Sequence, residues 1–418
     1  ACGLHRDGDA MLIDIVWAWI EAFTRWLHVI AGIAWIGSSF FFMHLDYSLK
    51  KRETLPERAY GDAWQVHGGG FYHMVKFLVA PTKMPDELTW HKWEAYATWM
   101  SGFGLLVIVY YLGAELYLID NNVLPLPVWA AVCISVAALA LVWAAYDFAC
   151  RSSFGQADNR LAAIMFVILL ALAYSFTHVY SARGAFMQMG AIMGTIMAAN
   201  VLMVIIPGQR KVIADLVAGR TPDPAHGQRG KQRSTHNNYL TLATVFVMLA
   251  GHYPLAFATR FSWLILGILI VMGAVIRHFY NERHKGNADP WWTWGVTVVL
   301  GVAIVWLSTF GPVERGGPAA KRVDVGSTPQ AVAFKQVDDI VSTRCLMCHA
   351  AEPVWSPLEP YQRSMGRAPK HVMFDTAERI RVHMREIKLQ SGYTNAMPPG
   401  NLTRMTEQER RIISAWIK

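Results

Sequence analysis

Cys345-Leu346-Met347-Cys348-His349 sets two cysteines three positions apart, with a histidine directly behind the second. C-x-x-C-H is the pattern by which a chain captures a c-type haem: the thiols add across two vinyl groups and the histidine takes the iron. A redox dithiol or half a zinc site would use similar cysteines. The first wants a βαβ context and the second another Cys/His pair, and the chain offers neither. A second axial ligand is expected downstream, at Met397 in Asn395-Ala396-Met397-Pro398-Pro399. A Pro/Gly loop can turn a side chain inward, and a thioether ligand raises the potential of an iron that must accept electrons.

Helix signals frame this stretch. Thr328-Pro329 reads as an N-cap and first-turn proline, and Val332, Gln336, Val337, Ile340 and Val341 lead to the cysteines on a helical period. Thr406 and Glu409 form a capping-box pattern ahead of Ile412, Ile413, Trp416 and Ile417. Residues 327–418 therefore resemble a small class I cytochrome c carrying one covalent haem.

The rest of the chain is of another kind. Of 418 residues, 54% are hydrophobic and 16% charged, too apolar for an ordinary soluble protein and natural for one resident in a membrane. The net charge of +8 does not point to nucleic acid, because lysine and arginine collect in the cytoplasmic loops of membrane proteins. Five cysteines make no disulfide framework: two are committed to haem, and Cys2, Cys133 and Cys150 read as free. The start lacks the pattern of a removable signal peptide, and polar Ala1–Ala10 is given no role.

Apolar stretches near the ~20 residues needed to cross ~30 Å of hydrocarbon recur eight times. They fall at about Ala22–Leu45, Tyr96–Leu118, Pro127–Phe148, Leu161–His178, Ala185–Ile206, Tyr239–Leu255, Trp263–Tyr280 and Trp291–Phe310. Basic residues crowd alternate loops, among them Lys50, Lys51, Arg52, Arg151, Arg160, Arg210, Lys211, Arg283 and Lys285, while the other loops hold little beyond Arg183 and Arg260. The positive-inside rule makes the rich loops cytoplasmic. Both termini then lie in the periplasm, where c-type haem is attached. The expected architecture is all-α: an eight-helix transmembrane domain over 11–310, a Gly/Pro linker over 311–326 and the cytochrome domain over 327–418. No strand-rich region is expected.

Ionisable groups inside spans are costly and so point to function. His28, His178 and His252 all fall in the periplasmic half, which suggests an embedded haem b with His28 as one ligand and His178 or His252 as the other. His44, Asp147, Arg277 and His278 fall near the cytoplasmic side. The first basic loop holds Trp64-Gln65-Val66-His67-Gly68-Gly69-Gly70-Phe71-Tyr72-His73, readable as a pocket element, where glycines admit a planar ligand, or as an interfacial helix anchored by tryptophans.

Eight spans, a fused C-x-x-C-H module and the run Trp64–Tyr72 together resemble the bacterial membrane-bound urate oxidase (urate hydroxylase) family, over essentially everything after Met11. The resemblance implies oxidation of urate to 5-hydroxyisourate at the inner membrane. Electrons would pass to the fused cytochrome and on to a respiratory acceptor, such as a soluble cytochrome c or a terminal oxidase, rather than to hydrogen peroxide. Arg25-Trp26-Leu27-His28-Val29-Ile30 and Asn237-Asn238-Tyr239-Leu240-Thr241 are similar to segments of four-helix haem proteins of the bacterial protoporphyrinogen oxidase type, which again raises His28.

The urate monoanion would want a guanidinium, an aromatic face and a base. Arg25, Arg183 and Arg260 are available on the outer side, and His67, His73 and Arg277 on the inner, which cytoplasmic purine catabolism favours. Two rivals are an electron-transfer anchor for a separate dehydrogenase subunit and a haem-copper oxidase relative. The second needs more intramembrane histidines on facing helices than occur here.

Overall fold

In the computed structural model, which describes residues 2–77, 81, 85–156, 158–312, 334–353 and 368–416, helix dominates and strand is confined to one hairpin. Helix α1 (Cys2–Ser48) has 47 residues, about 70 Å at ~1.5 Å per residue. The expected first span is thus the later part of a longer rod. Trp19, Phe23, Trp26, Ile30 and Ile33 on it are exposed, which suits a helix whose outer side meets lipid tails.

Between Ser48 and the next long helix comes the main departure from expectation. Strands β1 (Ala59–His67) and β2 (Gly70–Phe77) pair antiparallel with Val66 opposite Phe71 and Trp64 opposite His73. Gly68 and Gly69 both hold positive φ, 60° and 79°, the geometry of a two-residue type I′ turn. Among the described residues no neighbour lies within 4 Å of where their side chains would be, so it is the turn that calls for these glycines. The all-α reading is corrected accordingly, and the interfacial-helix reading of Trp64–His73 falls with it.

Each remaining expected span is helical. Helix α2 (Trp93–Leu105) continues through a wide π-type turn at Leu106–Tyr111 and is followed by the short α3 (Ala114–Tyr117). Then come α4 (Val128–Arg151), α5 (Asp158–Phe176), α6 (Ala182–Ala199), α7 (Ile206–Val217), α8 (Pro224–Leu249), α9 (Pro254–Phe257), α10 (Ser262–His284) and α11 (Trp292–Ser308). Among the described residues five stretches are long and apolar enough to cross a membrane: Ile15–Ser48, Val128–Arg151, Asn159–Phe176, Ala182–Val217 and Ser262–His284. Helix α6 is the centre of the bundle, with Met189, Ile192, Met193 and Ile196 almost fully buried. Ser181 caps its start by accepting from Gly184 N at 3.0 Å. Past Ala199 a wide turn at Asn200–Ile205 carries it into α7, where Pro207 lacks the N–H that a regular turn would use.

Helix α8 begins well before the expected Tyr239. Asp223 accepts from Ala225 N at 2.9 Å and Pro224 occupies the first turn, but the polar run behind them hides the helix from any search for apolar periodicity. Part of that run is buried: Arg233 donates to Asp147 Oδ1 of α4 at 2.8 Å.

The C-terminal residues form a second, separate hydrophobic core. Helices α12 (Phe334–Arg344), α13 (Leu346–His349), α14 (Ala377–Val382), α15 (Met384–Ile387) and α16 (Glu407–Ala415) enclose Val337, Ile340, Val341, Phe374, Ile380, Ile387, Met405, Ile413 and Trp416. The capping box is present, with Thr406 and Glu409 satisfying each other's backbone N–H. Thr328-Pro329, Val332, Ile417 and nearly all of the linker lie outside the described residues. The two bodies touch through the loop that carries Met397. Asn395 N donates to Ala258 O at 3.3 Å, Ala396 is buried in the core of the helical body, and Gly400 sits against the Ile119 carbonyl. Ile119 and Ala258 belong to the charge-poor connections, at the end of the bundle away from the hairpin.

Candidate functional site

The C-x-x-C-H stretch forms a single turn. Cys345 and Cys348 are not disulfide-bonded to each other and are partly buried, and burial pushes the Cys345 thiol up to about 12 and the Cys348 thiol up as well. His349 Nδ1 lies 2.8 Å from the Val372 carbonyl. A carbonyl only accepts, so Nδ1 carries the proton and Nε2 keeps the lone pair that a metal needs. Burial lowers the His349 pKa, which also favours the neutral ligand form. This donor set fits a covalent haem. Met397 is held by its backbone: its N–H donates to Gln390 O (2.9 Å) and its carbonyl accepts from Arg410 (2.8 Å). Arg410, 3% exposed, also donates to the carbonyls of Ser391 and Thr394. One buried guanidinium therefore shapes the whole Met397 loop, a role that nothing in its sequence surroundings announces.

The three histidines expected to share a haem b are each held differently. Half-buried His28 donates from Nδ1 to Thr98 O (2.9 Å) and approaches Ser101 Oγ (3.2 Å), its ring lying where a side chain on Gly102 would be. His178 is exposed and bonds the Tyr174 carbonyl of the preceding turn (2.9 Å); His252 is exposed at the end of α8. No hydrogen bond or ring contact joins any two of them among the described residues. Of the three, His28 is the one that is partly buried, and its Nδ1 bond leaves the Nε2 lone pair available.

The inner-side candidates also separate. His67 is exposed at the hairpin turn. His73 stacks on Trp64 (4.3 Å, 13°) and bonds Asp62 Oδ2 at 2.8 Å, while Arg52 bonds the other oxygen at 2.9 Å. Asp62 is buried, and its carboxyl is held below the usual range first by His73 and then by Arg52. Lys76 ties β2 to Asp46 near the end of α1 (2.7 Å). Neither hairpin histidine touches Arg277 among the described residues.

Arg277 lies instead in a buried cluster of its own. On α10, Arg277, Asn281 and His284 recur at helical spacing on one face; on α1, Phe40, His44 and Tyr47 do the same. The two faces meet. The guanidinium lies 3.8 Å from the Phe40 ring centroid, and the His44 and His284 rings meet edge to face at 4.3 Å. From α8, Asn238 Oδ1 accepts from Arg277 Nε (3.3 Å) and from Asn281 Nδ2 (3.1 Å), and Arg277 Nη2 donates to Asn281 Oδ1 (3.2 Å). Gly273 makes this possible, since a side chain there would come within 3.2 Å of Ala243 N and hold α8 away. Arg277 is 5% exposed, Asn238 0% and Asn281 1%. No carboxylate pairs with Arg277 among the described residues.

The outer arginines are placed differently. Arg25 pairs with Glu21 on an exposed face, Arg183 lies over the rings of Tyr117 and Phe257, and Arg260 is exposed. A further buried network that sequence reasoning missed joins Tyr146 to His236 (2.7 Å) and to Asn200 (3.0 Å), with Asn200 bonded in turn to Asn237 (3.0 Å).

These features define a predominantly helical protein whose longest helices can cross a membrane, followed by a separately cored module bearing a haem-attachment pattern. A family model described as Urate oxidase N-terminal matches residues 14–308, and the chain belongs to that family. The match covers the helical body and ends before the Cys345 module. No curated protein and no solved structure matches the chain.

Proposed function

We propose that this protein is a membrane-bound urate oxidase of the bacterial inner membrane, with eight spans and both termini in the periplasm. In the reaction, urate monoanion and water yield 5-hydroxyisourate, one proton and two electrons. A haem attached at Cys345 and Cys348 supplies a one-electron acceptor, discharged to a soluble cytochrome c or a terminal oxidase without forming hydrogen peroxide. His349 and Met397 are the ligands proposed for it, the first oriented by Val372 and the second by the loop that Arg410 gathers.

The observation that carries this reading is the joining, in one chain, of a body in the urate oxidase N-terminal family to a C-x-x-C-H module. The seat of the Met397 loop on Ala258 and Ile119 supports direct passage of electrons from body to module. Anaerobic mixing of the purified chain with urate tests it. The c-type absorption band is expected to reduce without any added subunit. A band that dithionite reduces but urate leaves oxidised would overturn the reading in favour of an anchor for a separate dehydrogenase.

A further inference from the structure

We infer that the Arg277 face of α10, the Phe40 face of α1 and Asn238 of α8 form the site that takes the planar urate monoanion, entered from the end of the bundle with the basic loops. The inference rests on the urate reading above and names where that substrate sits.

The argument begins with charge. A guanidinium 5% exposed is costly unless an anion or a full set of acceptors meets it. Here the acceptors are two neutral amides, and the nearby titratable groups include the phenols of Tyr47, Tyr239 and Tyr280 and the imidazole of His284. Among the described residues one positive charge is thus buried without its counter-charge. Hydrogen-bonding capacity argues the same way. Asn238 Nδ2, His44 Nδ1 and His284 Nδ1 are all buried with no partner among the described residues, three unsatisfied polar atoms in one cluster where native proteins rarely leave any. A ligand that answers them must be anionic, must accept from the guanidinium and the amide, and must offer N–H or carbonyl groups to imidazoles. The urate monoanion carries carbonyl oxygens and ring N–H groups around a flat rim. Phe40 holds the guanidinium by its ring face and so presents the fork in a set plane.

Placement decides the route of entry. Arg277, Asn281 and His284 occupy the last turns of α10, Phe40 and His44 the last turns of α1, and Lys285 follows directly, over Tyr47 at 5.3 Å. The hairpin is fastened to the same end of α1 through Lys76 and Asp46. A substrate monoanion is drawn towards this end by its basic loops.

The test uses the full haem-loaded chain. Urate binding by equilibrium dialysis and urate-driven reduction of the c-type band are measured for wild type, Arg277→Gln, Arg277→Lys and His284→Phe. Arg277→Gln is expected to weaken urate binding about ten- to hundredfold, the loss of a charged hydrogen bond, with haem content and dithionite reduction unchanged. Arg277→Lys should recover part of the affinity. His284→Phe, which keeps an aromatic ring against His44, should slow reduction or raise KM at least about threefold. If wild type oxidises urate and both Arg277→Gln and His284→Phe bind it as wild type does, the site assignment is wrong while the activity stands. If wild type neither binds nor oxidises urate, the functional reading itself fails. Loss of a copurified phospholipid from Arg277→Gln with urate affinity intact assigns the charge to a lipid headgroup and overturns the inference.

Discussion

His349 Nδ1 donates to the Val372 carbonyl across a 2.8 Å contact, so the imidazole is turned and its tautomer chosen by backbone twenty-odd residues away. Burial lowers the pKa of the ring against the opposing effect of that bond, and so favours the neutral form that a proposed iron ligand needs. Replacing both Cys345 and Cys348 by alanine is expected to abolish covalently bound haem, read by haem staining after denaturing electrophoresis. The helical body should still fold, because its core is separate from that of the module. Haem that survives denaturation in the double variant would contradict the attachment site.

Met397 is expected to set the potential of that haem. Met397→His replaces a thioether by a stronger donor to oxidised iron and should lower the midpoint potential in a redox titration. An unchanged potential would remove Met397 from the iron. Arg410→Leu should disturb the same potential while leaving covalent haem content alone, since Arg410 touches the loop backbone and not the cysteines.

The cation–π contact of Arg277 with Phe40 at 3.8 Å predicts a graded effect. Such contacts contribute roughly 0.5–2 kcal/mol, so Phe40→Leu should raise the KM for urate about two- to thirtyfold and change kcat less. Steady-state kinetics with an artificial acceptor decide it; equal KM values would show that the ring does not orient the guanidinium.

The buried ion pair of Arg233 with Asp147 is a stability prediction. Asp147→Ala strands a guanidinium that is 2% exposed, and breaking one side of a buried pair costs about 3–5 kcal/mol. A markedly lower midpoint of thermal unfolding in detergent is expected, against little change for Arg220→Ala, whose ion pair is exposed.

The hairpin has its own pH dependence. Asp62 has a folded pKa below its ordinary value, through His73 first and Arg52 second. The stabilisation is therefore fully present above the unfolded carboxyl value of about 4 and is lost as pH falls through the lower folded value. Amide hydrogen exchange over Ala59–Phe77, corrected for intrinsic rate, should accelerate through that acid window in wild type and show no such step in Asp62→Asn.

The chain's own chemistry determined the helical class, the places of the long helices, the capping box at Thr406 and the C-x-x-C-H pattern at Cys345–His349. Each of these is local: an apolar run, a cap or a pentapeptide decides it through neighbours a few positions away. The hairpin was legible too, since paired glycines between alternating side chains are a turn signal, but tryptophans and histidines beside them drew the reading elsewhere. The early start of α8 was not, because polar residues buried against another helix break the periodicity that reveals a span.

Only the tertiary structure decided which ionisable groups meet. Equal depth in a bilayer is what groups His28 with His178 or His252, and depth fixes one coordinate while leaving rotation about each helix axis free. Conversely, Phe40, His44, Asn238, Arg277 and His284 come from three helices far apart in the chain, brought together by the close approach that Gly273 permits. The rotation of a helix is set by how its whole surface packs, and no short stretch of sequence carries that information.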